Sequence, residues 1–196
     1  AGPVIGVLSV VWVRLIGWVS YHRIGGRRLL VAPLIAFVAL GLLAIAYPEL
    51  LGNGQDVAAR AFVTTSHTDL GLLVALAVLK PIATALCLGS GATGGLFTPT
   101  LSTGAALGAV LGICWTSVWP GAAVGSYALI GAAAMIGAAM QTPLAALALV
   151  IELTHTADSL IVPLIAATAI ATTVARYVDG YSIYSSRLPA QSPLEA

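Results

Sequence analysis

Long apolar stretches alternate with short polar or glycine- and proline-rich breaks along the whole chain. Residues 2–21 are apolar apart from Arg14 and predict a helix. YHRIGGRR, residues 21–28, is a basic break. Residues 29–48 hold no charge and end at Tyr47-Pro48, which predicts one spanning helix. ELLGNGQDVAAR, residues 49–60, reads as a loop or short helix. Residues 62–69 are polar, and Asp69 is placed to cap a helix running to about Cys87, with Pro81 inside it as a candidate kink. GSGATGG, residues 89–95, interrupts apolar sequence. A further helix is expected from near Phe97 to just before Trp119-Pro120-Gly121. Two apolar pieces, 124–140 and 142–153, are split by Gln141-Thr142-Pro143, and the second is too short to cross a bilayer alone. Residues 159–177 form another apolar segment, and DGYSIYSSRLPAQSPLEA is polar enough to leave the membrane.

Composition makes this pattern a membrane pattern. Of 196 residues, 59% are hydrophobic and 8% charged, and the mean hydropathy is +1.02. Soluble domains carry about 25% charged residues. So little charge cannot cover a water-facing surface, so most of the surface must meet lipid or protein. From Pro81 to Ile151 no residue carries a formal charge, enough chain for about three crossings of roughly 20 residues each. The chain therefore reads as an all-α integral membrane protein that passes the bilayer several times. Arg23, Arg27 and Arg28 mark their short loop as cytoplasmic. The net charge of +1 carries no sign of nucleic-acid binding. Cys87 and Cys114 lack metal-ligand spacing and are expected to be small buried apolar side chains. His22, His67 and His155 lie near segment ends and form no cluster, so interfacial roles are expected. The Ala-Gly-Pro start has no basic region or cleavage site of a signal peptide and reads as the interior of a larger protein.

Several apolar segments are short and broken by Gly or Pro where they should lie deep in the bilayer. Non-helical backbone is tolerated there only inside protein or along a cavity. Such breaks point to a transporter binding site.

The break GSGATGG begins as G-x-G-x-x-G, so a dinucleotide site must be weighed. That fold needs a strand before the glycines and an acid about 20 residues on. No acid occurs before Glu152, and the flanks have membrane character. A Walker sequence is excluded because no Gly-Lys-Ser/Thr follows. Gly104, Gly108 and Gly112 recur every four residues, the spacing of close helix packing. The irregular glycines 89–95 serve another purpose. Phe97-Thr98-Pro99 follows them, and proline suits the first helical turn, whose amides have no partner within the helix. A helix start inside the membrane aims free amides and the positive end of its dipole into a neutral cavity. This suits an anion held without a fixed cation, bound weakly enough to leave again.

GSGATGGLFTP resembles the G-x-F-x-P signature of the CLC family of chloride channels and chloride/proton antiporters, here Gly95-Leu96-Phe97-Thr98-Pro99. AAMIGAAMQTPLAALALVIELTHTADSLIVPLIAATAIA is similar to the family's later membrane helices, and DGYSIYSSRL to the start of its last helix. Residues 2–60 resemble the family more loosely, with YPELLGNGQ the best local match. The resemblance implies a CLC-type bundle of tilted, partly broken helices over residues 1–188, followed by a polar tail at 189–196. It covers only the second of the family's two inverted repeats. The serine segment and the gating glutamate of the first repeat are not in this sequence, so a missing N-terminal half would supply them. The resemblance further implies chloride as the transported ion, no cofactor, no enzymatic activity, a homodimer, and a bacterial-type plasma membrane. The first helix and the two short ones around 142–175 would lie near the dimer contact.

By the same resemblance, Leu96 and Phe97 give backbone amides to the chloride, and Tyr184 gives its hydroxyl. Tyr181 competes with Tyr184, and both could be interfacial tyrosines. Glu152 reads as an acid closing its helix at the interface, although an acid at membrane depth is a functional candidate. Lys80 either snorkels to the membrane surface or draws anions toward the pore. Apart from transport, a structural or assembly subunit without its own pore stays open, and a dinucleotide-binding membrane enzyme is a weak third reading.

Overall fold

The computed structural model describes residues 1–65, 67–119, 121–154 and 160–188. The tail expected at 189–196 and His155 lie outside the described residues, as does the side chain of His67. The described residues contain eight α-helices and no strands. They are α1 (Gly2–Tyr21), α2 (Ala32–Ala46), α3 (Gln55–Val63), α4 (Leu70–Gly89), α5 (Phe97–Thr116), α6 (Val124–Met140), α7 (Pro143–Thr154) and α8 (Ile161–Val178). By length and composition α1, α4, α5 and α8 can each cross a membrane.

The 29–48 segment is not one spanning helix. A turn of 3-10 helix occupies Gly26–Leu30, and α2 has only 15 residues. That is about 22 Å at 1.5 Å per residue, short of the roughly 30 Å hydrocarbon core. Pro33 starts α2 in its first turn, and Pro48 holds Tyr47 out of the helical region at φ −134° and ψ 77°. Hydropathy alone does not register either boundary. Asp69 precedes α4, but its side chain makes no capping hydrogen bond. It lies 3.7 Å from Arg60 at the end of α3 instead. Pro81 sits within the continuous helix α4. Cys114 is exposed and Cys87 half-buried, so the expected burial of both thiols does not hold.

The centre of the bundle is the α5–α6 pair. Every residue of α6 from Ile130 to Met140 is buried. The expected close-packing stripe is present. A Cβ at Gly104 would come within 2.6 Å of the Gly131 carbonyl oxygen, and one at Gly112 within 2.7 Å of Tyr127 Cβ. Backbones meet here because no side chains intervene. α1 lies against α8 in the same manner, where a Cβ at Gly6 would approach the Ala171 carbonyl to 2.8 Å. At one end of this contact Arg14 makes a bidentate ion pair with Asp179, its Nε 3.1 Å from Oδ2 and its Nη2 2.9 Å from Oδ1.

Candidate functional site

Between α4 and α5 the chain leaves the helical state for a few residues. Gly91, at φ +94°, makes the reversal that only glycine adopts freely. Gly94 and Gly95 are exposed and have open space around them, so their lack of a side chain leaves the backbone uncovered. Leu96 is the N-cap residue of α5 and is buried. Pro99 occupies the first turn, as the spacing required. Among the described residues, no hydrogen bond leads from the amide of Leu96 or Phe97 to another protein group. These are the orphan donors that a helix start leaves unless something caps it. No side-chain cap is present here.

The start of α5 is held from behind. Thr100 Oγ1 donates to the Leu96 carbonyl at 2.6 Å and accepts from Trp12 Nε1 at 2.9 Å. Trp12 on α1 and Thr100 are both buried. This clamp fixes the direction in which the free amides point. Sequence reading missed both residues. Thr100 lies four residues after Leu96, a spacing that lets a threonine bond back to the carbonyl, but nothing local marks Trp12 as its partner.

Leu96 lines a cavity of about 270 Å³ with residues 92–95, α4 and the Gly52–Asn53 turn. Phe97 lines a second recess of about 260 Å³, shared with Phe62 on α3 and Val150 on α7. Tyr184 lines neither. It caps the 3-10 turn Ser185–Arg187, is half-exposed, and its hydroxyl lies 3.9 Å from Met140 Sδ at the end of α6. Its segment is anchored by the buried Ile183, whose amide donates to the Ala139 carbonyl at 2.7 Å. Tyr181 is also exposed. Glu152 is exposed near the end of α7.

Lys80 does not snorkel. It is 2% exposed, and its Nζ donates to the carbonyls of Leu50 at 2.8 Å and Gly52 at 2.9 Å. The ammonium thus ties α4 to the turn before α3, and Lys80 is among the residues that line the 270 Å³ cavity. Gly54, at φ +108°, lets that turn pass close to Ser102 and Lys80. Lys80→Met should orphan the buried Leu50 carbonyl and release the part-buried Gly52 carbonyl, at a cost of about 2–3 kcal/mol. A lower thermal midpoint of the complete protein in detergent, partly recovered by Lys80→Arg, is the expected result.

Comparison with known proteins identifies the family. The family model for voltage gated chloride channels matches residues 1–176. The H(+)/Cl(-) exchange transporter ClcA of Vibrio campbellii is 34% identical over 194 residues, covering 95% of this chain and 41% of the relative. ClcA of Yersinia pestis is 30% identical over 194 residues, covering 95% of this chain and 40% of the relative. A crystal structure of a slow cyanobacterial Cl−/H+ antiporter superposes with a TM-score of 0.84 at 25% identity, covering 93% of this chain and 43% of that one. The chain spans about two fifths of the length of the curated relatives it matches. With the family match over most of its length and the same helical architecture, this chain belongs to the voltage gated chloride channel (CLC) family, and it is a multi-pass integral membrane protein.

Proposed function

We propose that the chain is the second half of a chloride pathway of the exchange-transporter kind, and that the start of α5 is one wall of its anion site. The observation that carries this reading is the pair of unpartnered amides at Leu96 and Phe97, beside the open backbone of Gly94 and Gly95. An anion entering from water gives up hydration, and a helix N-terminus returns part of it through fixed dipoles. Those dipoles are already oriented, because Trp12 and Thr100 hold the Leu96 carbonyl. The charge of Lys80 raises the potential of the adjoining cavity, while its bonds to two carbonyls keep the ammonium from closing on the ion. Attraction without tight capture is what a transported ion requires. Proton exchange enters from the matched relatives, which are named as exchangers.

Tyr184 supplies a hydroxyl to the same ion in this reading, and the rest of the coordination comes from the missing N-terminal half. The assembled protein is a homodimer in a bacterial plasma membrane, with chloride as its transported substrate, no cofactor and no enzymatic step. The exposed apolar side chains of α1, α7 and α8, such as Val11, Leu144 and Val162, give lipid and a second copy surfaces to meet.

The test is chloride efflux from liposomes holding the complete gene product, with proton movement recorded alongside. Efflux coupled to protons is expected from the complete protein, and no selective flux from residues 1–196 alone. Tyr184→Phe should weaken bromide binding about 10- to 150-fold, the loss of one hydrogen bond to a charged group. A silent complete protein would favour an assembly subunit, and a defect confined to Tyr181→Phe would move the hydroxyl contact to that residue.

A further inference from the structure

A cavity of about 570 Å³ lies in a groove between α1, α2 and α4, and neither Leu96 nor Phe97 lines it. Its walls are almost wholly apolar. Trp18, Ile35, Ile82 and Leu86 flank it, and the small residues Ala36 and Ala85 leave it deep. Polar character is concentrated in two lining residues, His22 and Ser90. These two come together because the Ile24 amide donates to the Gly89 carbonyl at 2.9 Å, which pins the loop after α1 to the end of α4.

That polar end carries the residue types of a membrane surface. Trp18, Tyr21 and His22 form an aromatic group there, with ring centroids 4.9 and 5.5 Å apart. Tryptophan and tyrosine settle where headgroups begin. The adjoining loop is strongly positive. Arg23 and Arg28 are exposed, Arg27 lies in the same loop, and no acidic residue occurs in the sequence before Glu49. An apolar slot that opens at the headgroup level beside unopposed arginines has the polarity of one ligand class, an amphiphile with a negative head and a hydrocarbon tail.

We propose that this groove binds an anionic phospholipid, with one acyl chain between α1, α2 and α4 and the phosphate against Arg23 and Arg28. Basic sites between membrane helices on the cytoplasmic side select anionic headgroups. A zwitterionic lipid fits the slot equally well but gains little from the arginines. The bound lipid would brace α2, which is too short to span and has few buried residues of its own.

The complete protein is delipidated in detergent and titrated with phosphatidylglycerol or phosphatidylcholine, and bound lipid is counted by native mass spectrometry. Phosphatidylglycerol should bind in preference. The double variant Arg23→Gln/Arg28→Gln should lower that preference about thirtyfold, and both sites are exposed, so folding should survive. Ala85→Phe, which fills the slot, should lower retention of both lipids. Equal retention of the two lipids by the unaltered protein would overturn the proposal, as would an unchanged preference in the double variant. Disulfide or bifunctional cross-linking between cysteines at Ile82 or Ala36 and the upstream half would overturn it too, by showing that protein fills the groove.

Discussion

Gly131→Val should leave the complete protein misassembled, with aggregation in detergent and little folded material recovered. A Cβ at Gly131 would lie 2.6 Å from the Gly108 Cα and 2.9 Å from the Gly108 nitrogen, and would be closer still to the Gly104 carbonyl oxygen. All three neighbours are backbone of α5, so no rotamer change relieves the clash. The helices must separate along their whole shared face. Overpacking a core usually costs about 1–3 kcal/mol, and backbone against backbone belongs above that range. The effect should also reach the proposed anion site, since α5 carries the Leu96–Phe97 start. Gly71→Ala is the matched control. It lies in the first turn of α4 with nothing within 4 Å, and alanine is the better helix former. Size-exclusion profiles and thermal midpoints of the two variants should diverge sharply. A monodisperse Gly131→Val protein of ordinary stability would show that α5 and α6 do not touch as described.

Replacing the Phe97 amide by an ester, through the hydroxy-acid analogue of phenylalanine, should weaken anion binding about 10- to 150-fold. The exchange turns one N–H into an oxygen and keeps the ring. Removal of the donor should cost no helix hydrogen bond, because that amide has no protein partner among the described residues. The ester also weakens the Leu96 carbonyl as an acceptor for Thr100, so stability should fall slightly, while bromide affinity, read by calorimetry, falls much further. The same exchange at Thr103, inside α5, removes an amide from the helical ladder and should act on stability instead. Unchanged bromide affinity in the Phe97 ester would remove the helix start from the anion pathway.

The helix start was readable because its signals are local. Glycines at 94 and 95, a proline at 99 and an uncharged surrounding need no partner to be understood. The α5 glycine stripe was readable for the same reason, although its receiving surface on α6 was not. What escaped depends on residues far apart in the chain. Trp12 reaches Thr100 across 88 positions, and Arg14 reaches Asp179 across 165. Lys80 was expected at the membrane surface or facing an incoming anion. Its burial depends on the two carbonyls of the Leu50–Gly52 turn, which nothing around Lys80 announces. The spanning length assigned to 29–48 failed differently. Apolar composition is continuous there, and the boundaries are set by backbone restrictions at Pro33 and Pro48.

The Arg14–Asp179 pair constrains how the protein can be made. α1 emerges from the ribosome long before Asp179, and at about 5–20 residues per second the interval is roughly 10–30 s. During that time α1 has an unpaired arginine in its second half, which opposes residence in lipid by about 2.5–3.5 kcal/mol at the helix centre. The glycines that receive α8, Gly2 and Gly6, are also vacant until α8 arrives. α1 is therefore a segment that the insertion machinery must retain or shield until α8 and Asp179 have been made. Asp179→Asn would leave the finished fold with one weakened clasp, but it would remove the charge that draws a waiting helix into place.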